Sequence, residues 1–413
     1  MYSTGTADMT IIGIDRLEEI YGTKIKGKRV GLITNNTARG SDLLSTLEKV
    51  RSAKNIEKLV LLSPEHGYFG DHQSGSTVNS YFDTDLNIMI ESLYRTPGGL
   101  KDAAKSDLDS SMRIIDSQKD SSKYPEKEMM QNFDTVLYDL QDVGCRIYTY
   151  IATLIYSMEI SAGLEQDYIV LDRPNPVTGR YTEGPILQNN LFSFIGSMPV
   201  PMRHSLTIGE IALFFNRFIN EGRTNLTVLG MKGWDRSYWH EQTSIPWIPP
   251  SPNMPTVDTA VVYPGAILFE GTNVSEGRGT TRPFQIIGAP WINGLKLKER
   301  LRDIERLGAQ AIEMKFRPTF SKYEGNVCSG LYVHVKDREI FRPMEFALNL
   351  IGNILDMYPD ELKFHDSYFD KASGNKKVRE MLISGISGSD ILEKFEDELT
   401  RYESNIAEIK LYR

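Results

Sequence analysis

Through the first 230 residues, short apolar runs alternate with stretches of helical periodicity. Arg29 to Thr34, Lys58 to Ser63, Thr135 to Asp139 and Tyr168 to Asp172 read as buried strands, with Leu226 to Leu229 as a further candidate. Residues 41–54, 148–163 and 207–221 have helix length and lie between them. Continuous apolar strands separated by helices predict an α/β fold with a mostly parallel sheet covered on both faces.

The second half is patterned differently. Residues 244–256, SIPWIPPSPNMPT, hold five prolines in thirteen positions. Proline fixes φ and removes a donor, so this stretch predicts a stiff, extended connector. A domain boundary is placed there, giving 8–243 and 244–413, with a rigid loop inside one domain as the alternative. A glycine-rich polar stretch, 269–283, follows, then an alternating strand at 330–335 and helical patterns at 342–357 and 387–399. Strands and helices are less regularly interleaved here, which predicts a smaller α+β unit. Residues 96–130 are rich in serine and mixed charge and read as an inserted surface excursion with a short helix around Ser111–Ile115.

Composition narrows the function classes. A chain of 413 residues with 40% hydrophobic and 25% charged residues is ordinary globular material. Its 47 Lys+Arg against 55 Asp+Glu give a net charge of −8, and no basic stripe accompanies it, which argues against a nucleic-acid partner. No run approaches 18 apolar residues, so no membrane span is expected. The opening MYSTGTADMT lacks a basic and an apolar region of a secretory signal. The expected location is cytoplasmic, or periplasmic or secreted if a signal has been removed. Two cysteines, Cys145 and Cys328, are too few for a disulfide framework or a cysteine zinc site, and two free buried thiols are expected.

The chemistry gathers where strands end. The second strand runs into Pro64-Glu65-His66-Gly67, the third into Asp139-Leu140-Gln141-Asp142, and the fourth into Asp172-Arg173-Pro174-Asn175-Pro176. In open parallel sheets the ligand crevice lies beyond the carboxyl ends of the strands, so these groups should converge. Glu65 suits a general acid, or else a loop or capping carboxylate. Asp139 and Asp142 could orient a water, accept a sugar hydroxyl or pair with Arg146; alternatively, Asp142 caps the helix near Tyr148 and Asp139 forms a buried salt bridge. Glu159 falls at the edge of the apolar face of helix 148–163, near Tyr148. A carboxylate there is costly unless paired, so it is a second candidate carboxylate or the partner of a structural arginine. Prolines on either side hold Asn175 with little freedom, which suits ligand contact or a tight turn.

In 270–282, Glu270, Asn273, Glu276, Arg278 and Arg282 stand among three glycines, a pattern for a substrate-facing loop without any phosphate-loop signature. Glu65, His66, Asp71 and His72 could be read as metal ligands, but the spacing is not that of a zinc protease, and neither metal nor cofactor is expected. Trp234, Trp239, Trp247 and Trp291 near the connector could form a sugar-stacking wall or pack an interface.

SPEHG (63–67), YDLQDVGCRIYTY (138–150), LDRPNP (171–176), EGP (183–185), PSPNMPT (250–256), YPG (263–265) and LFEGTNVSEGRGTTRPF (268–284) resemble the exo-β-N-acetylmuramidase family, formerly a domain of unknown function. The resemblance runs from about Gly13 to the C-terminus. It implies a Rossmann-like N-terminal domain, a smaller C-terminal domain and an active site in the cleft between them. It further implies release of N-acetylmuramic acid from the non-reducing ends of peptidoglycan fragments, so the partner is a muropeptide or amino-sugar substrate. By motif, Glu65 is the candidate catalytic acid, with Asp142 or Glu159 as the second carboxylate. His66, Asp139, Arg146, Tyr148, Asp172, Arg173, Asn175, Glu270, Asn273, Glu276, Arg278 and Arg282 are expected to bind substrate, with arginines on the lactyl carboxylate. Two departures stand out: Cys145 occupies a position usually held by valine or another small residue, and 96–130 is longer than expected. A sugar-binding protein without catalysis, and a metal-dependent hydrolase using Glu65, His66 and His72, remain as alternatives.

Overall fold

In the computed structural model the described residues are 9–73, 78–94, 123–301 and 306–413. The strands of the first half are β1 (Arg29–Thr34), β2 (Lys58–Ser63), β3 (Tyr81–Asp83), β4 (Ile88–Ser92), β5 (Thr135–Asp139), β6 (Asp167–Leu171) and β7 (Asn225–Leu229). They form one sheet in the order β3-β4-β2-β1-β5-β6-β7, parallel throughout except for the β3–β4 hairpin pair. The pattern of apolar runs located five of the seven. β3 and β4 are short and half exposed, so their sequence carries no continuous apolar run.

Both faces of the sheet are covered, as the uninterrupted apolar strands require. Val30 and Leu32 of β1 and Leu137 of β5 feed one apolar cluster, while Ile33, Val136 and Tyr138 point into the other. The helices start where local chemistry allows. Ser45 and Glu48 form a reciprocal capping box ahead of helix Thr46–Ser52, and Thr207 and Glu210 do the same ahead of Ile208–Phe218. These caps set the helix starts at 46 and 208 rather than at 41 and 207. Helix Tyr150–Gly163 is buried along nearly its whole length.

The second half opens with helix Val257–Ala266 and continues with β8 (Ile286–Ala289), β9 (Ala309–Phe316) and β10 (Cys328–Val335), an antiparallel sheet in the order β8-β10-β9. Helix Pro343–Met357 packs on Val257–Ala266, and four shorter helices complete the chain. The pattern at 387–399 predicted one helix; two are found, Gly388–Glu393 and Glu396–Ile406, because Lys394 and Phe395 turn between them. The larger apolar cluster runs from Ile33 to Ile409 and contains residues of both sheets. Cys145 and Cys328 are free, buried thiols, and burial pushes both pKa values up. Most of the 96–130 excursion, including the expected helix at Ser111–Ile115, lies outside the described residues; its end forms the helical turn Lys127–Met130. Among the described residues no helix is long and apolar enough to cross a membrane.

Candidate active site

Glu65 follows β2 by two residues, behind Pro64, and is buried. His66 and Gly67 both have positive φ, so the backbone turns sharply there and holds Glu65 at the carboxyl edge of the sheet. The His66 ring Nδ1 lies 2.7 Å from the carbonyl of His72, which ties this turn. Burial pulls the His66 pKa down, against the opposing charge of Glu65. Opposite, Thr149 stands at the N-cap of helix Tyr150–Gly163 with helical dihedrals and caps nothing. Its hydroxyl donates to Glu65 Oε2 at 2.5 Å.

Around this pair opens a cavity of about 470 Å3, counting its mouth. The first half supplies Glu65, His66, Ile147, Tyr148, Thr149 and Ile195. The proline-rich connector supplies Ser251, Asn253 and Met254, and the second half supplies Tyr263, Ile267, Glu270, Arg278, Phe284 and Tyr368. The connector is anchored from below: the Tyr150 hydroxyl donates to the Pro250 carbonyl at 2.7 Å and accepts from Asn35 at the end of β1.

On the far wall, Arg278 donates through Nε to Glu270 Oε1 at 2.7 Å, and the Tyr368 hydroxyl donates to Glu270 Oε2. Arg278 also lies 3.5 Å from Glu276, whose other oxygen accepts from Lys322 at 2.9 Å. Burial works against the Arg278 charge, but Glu270 and Glu276 outweigh it and its pKa is raised. Two cations and two carboxylates therefore balance in this wall.

The chain matches family models over most of its length. Residues 30–116 and 97–258 fit the N-terminal part of exo-beta-N-acetylmuramidase NamZ, and residues 261–412 fit its C-terminal part. The protein belongs to the NamZ exo-β-N-acetylmuramidase family. It is 38% identical over 401 residues to the peptidoglycan beta-N-acetylmuramidase NamZ of Bacillus subtilis strain 168, covering 97% of this chain and 91% of the relative. Two DUF1343 family proteins of Bacteroides fragilis NCTC 9343 have similar crystal structures. One has a TM-score of 0.84 at 30% identity, covering 98% of this chain and 99% of that one. The other has a TM-score of 0.74 at 27% identity with the same coverage. As a NamZ family member the protein is a glycoside hydrolase.

Of the residues singled out from sequence, Glu65, His66, Tyr148, Glu270 and Arg278 line the cavity of this NamZ family protein. The others lie elsewhere, and their partners say why. Asp142 is buried, accepting from the Gly144 N–H at 2.7 Å and facing His204 Nε2 at 3.5 Å. Glu159 is buried inside its helix, close enough to Tyr124 for its charge to act on that phenol. Asp139 is fully buried against Arg173 and the Thr46 hydroxyl. Asp172 accepts from the backbone of Arg173 and Gly209 and from the hydroxyls of Thr207 and Tyr412.

Asn175 bonds Leu206 and Val177 within a turn. Arg146 gives its guanidinium to the carbonyls of Pro185, Val200 and Ala372. Asn273 is tied to Glu361 and Lys363, Glu276 stands behind Arg278, and the Arg282 backbone closes the turn at 280–286. Nor does any of the four tryptophans line the cavity: Trp234 meets Tyr412, Trp239 bonds Glu339, Trp247 meets His240 and Trp291 bonds Tyr323. Among the described residues no group of three or more His, Cys, Asp and Glu is placed to hold a metal ion.

Sequence reasoning passed over Thr149, Ser251, Asn253 and Tyr368 as site residues. The first three stand inside motifs already noted, YTY and PSPNMPT. Tyr368 has no such mark; only the fold brings helix Asp366–Ser373 beside Glu270.

Proposed function

We propose that the protein releases N-acetylmuramic acid from the non-reducing ends of peptidoglycan fragments, acting in the cavity where 8–243 and 244–413 meet as two domains. The observation that carries this reading is the buried Glu65, fixed by the Thr149 hydroxyl on the wall of a cavity that both halves of the chain line. A carboxyl group so placed can protonate a glycosidic oxygen. The Bacillus subtilis relative, a peptidoglycan beta-N-acetylmuramidase, supplies the sugar. Arg278 is already shared by two carboxylates, so we assign it to shaping the wall rather than to sole capture of the lactyl group.

The test is Glu65→Gln in the full chain, assayed on muropeptides with N-acetylmuramic acid at the non-reducing end. Loss of free sugar release with an unchanged circular dichroism spectrum supports the reading. Wild-type turnover in that variant removes Glu65 from the mechanism. Saturable binding of muramyl ligands by the wild type with no cleavage would make the protein a binder instead.

A further inference from the structure

Hydrolysis of a glycoside by this chemistry uses two carboxyl groups, one on either side of the scissile bond. Asp142 and Glu159, the two expected partners of Glu65, are buried away from the cavity. Among the described residues, the carboxylates that line it are Glu65 and Glu270. They come from different halves of the chain, Glu65 from the end of β2 and Glu270 from the helical turn Ile267–Gly271 of the second half.

We propose that Glu270 is the second catalytic carboxylate, accepting the proton of the water that attacks the anomeric carbon. This deepens the muramidase reading and rests on it.

Three features suit Glu270 to that task. It is held: Arg278 takes Oε1 through both Nε and Nη2, and the Tyr368 hydroxyl occupies one side of Oε2. A carboxylate has about four lone-pair sites, so Oε2 keeps one for a water hydrogen. It is also backed by a charge relay that survives its protonation. When Glu270 takes a proton, Arg278 still faces Glu276 at 3.5 Å, a carboxylate it then shares with Lys322, so Arg278 keeps an anionic partner. Finally, its surroundings in the cavity are apolar or aromatic, with Tyr263, Ile267 and Phe284, so the reacting water is one of few.

The step balances as follows. Glu65 delivers its proton to the glycosidic oxygen as the bond from that oxygen to the anomeric carbon breaks, the electron pair leaving with the oxygen. The water oxygen bonds to the anomeric carbon from the other face, and one water proton passes to Glu270. The products are the free sugar with inverted configuration, the shortened chain, ionised Glu65 and protonated Glu270; exchange with solvent resets both groups.

The experiment uses the full chain with a chromogenic aryl β-N-acetylmuraminide and with a natural muropeptide. Glu270→Gln should lower kcat by roughly 100- to 10,000-fold on both substrates, because a base is needed whatever the leaving group. Glu65→Gln should be severe on the muropeptide and much milder on the aryl substrate, whose leaving group needs little protonation. Proton NMR of the wild-type reaction should show the α anomer first, and azide should restore turnover to Glu270→Ala as the α-glycosyl azide. Should Glu270→Ala fail to fold with Arg278 stripped of a partner, the isosteric Gln variant and the wild-type anomer still decide. First appearance of the β anomer, or a Glu270→Gln kcat within about threefold of wild type, overturns the role of Glu270 and leaves the muramidase reading standing. A wild type that cleaves neither substrate overturns both.

Discussion

Thr149 donates its hydroxyl hydrogen to Glu65 Oε2 at 2.5 Å although it occupies the N-cap of helix Tyr150–Gly163, where a threonine ordinarily accepts a backbone N–H. Forgoing the cap costs the helix about 1 kcal/mol of a stabilisation that its burial makes unnecessary. What is gained is orientation of the acid. Thr149→Val keeps the shape and removes the donor. The expected result is a kcat lower by roughly 10- to 100-fold, the equivalent of about 1.5–3 kcal/mol for a hydrogen bond to a charged group. Thr149→Ser should recover most of it. Steady-state kinetics with thermal melts checks this, and an unchanged kcat in the valine variant would show that the hydroxyl does not act on the reaction.

The segment that carries Thr149 depends on Gly144. Its φ is +72°, and a Cβ there would stand 2.2 Å from Asn175 Oδ1 and 2.6 Å from Val177 Cγ2. Gly144→Ala therefore has to move the segment from Asp142 to Thr149 or the turn at Asn175. A loss of roughly 1–3 kcal/mol of stability and a drop in kcat/KM are expected together, because both strain and site displacement follow from one atom. Urea unfolding and kinetics on the same preparation test the coupling; full activity with full stability would mean the turn yields freely.

The legibility of this molecule in its sequence divides along a physical line. Strands β1, β2, β5, β6 and β7 carry apolar runs because both faces of the sheet are buried, and so the α/β fold was readable. That Glu65 would face the crevice was readable from its place just after β2, at the carboxyl edge of the sheet. Asp139, Asp142 and Asp172 have the same outward signature, yet they accept from Arg173, from the Gly144 N–H, and from Gly209, Thr207 and Tyr412, all of them away from the cavity. A sequence shows that a charge follows a strand. It does not show whether that charge faces the crevice or pays for its own burial with a neighbour. Tyr368 was out of reach for the converse reason: its place beside Glu270 depends on how distant helices pack.

Glu183 links the EGP segment to the second half and makes stability depend on pH. Its Oε1 accepts from the backbone N–H groups of Met344 and Glu345 in the first turn of helix Pro343–Met357. Burial pushes its pKa up to about 7, with Arg203 and those N–H groups acting in the opposite direction. Below the ordinary carboxylate range both the folded and unfolded chains hold the proton. Between that range and about 7 the unfolded chain has lost it and the folded chain keeps it, so stability falls as pH rises through this window and levels off above it. The fall attributable to Glu183 is at most about 3 kcal/mol. In Glu183→Gln, which keeps the acceptor for both N–H groups, the slope of unfolding free energy between about pH 4.5 and 7 should be smaller by up to about one proton. An identical slope in both proteins would mean Glu183 ionises normally in the fold.

Arg146 is buried with no carboxylate within ion-pair distance among the described residues, and burial pulls its pKa down to about 10. Its guanidinium instead spans three carbonyls, those of Pro185 and Val200 at 3.0 and 2.9 Å and that of Ala372 at 2.8 Å. Ala372 lies in the last turn of helix Asp366–Ser373, one turn beyond Tyr368, so Arg146 fixes the helix that presents the Tyr368 hydroxyl to Glu270. The approach is close enough that a Cβ on Gly374, at φ +85°, would stand 2.6 Å from Arg146 Nη2. A lysine cannot span the three acceptors with one ammonium group, so Arg146→Lys leaves buried carbonyls unpaired around a buried charge. A loss of roughly 2–4 kcal/mol is expected, and Gly374→Ala should reproduce part of it. Because the displaced helix carries Tyr368, kcat should fall in both variants even at temperatures where they remain folded. Kinetics at 20 °C beside thermal melts separates the two effects: a destabilised Arg146→Lys with wild-type kcat would confine Arg146 to holding the fold.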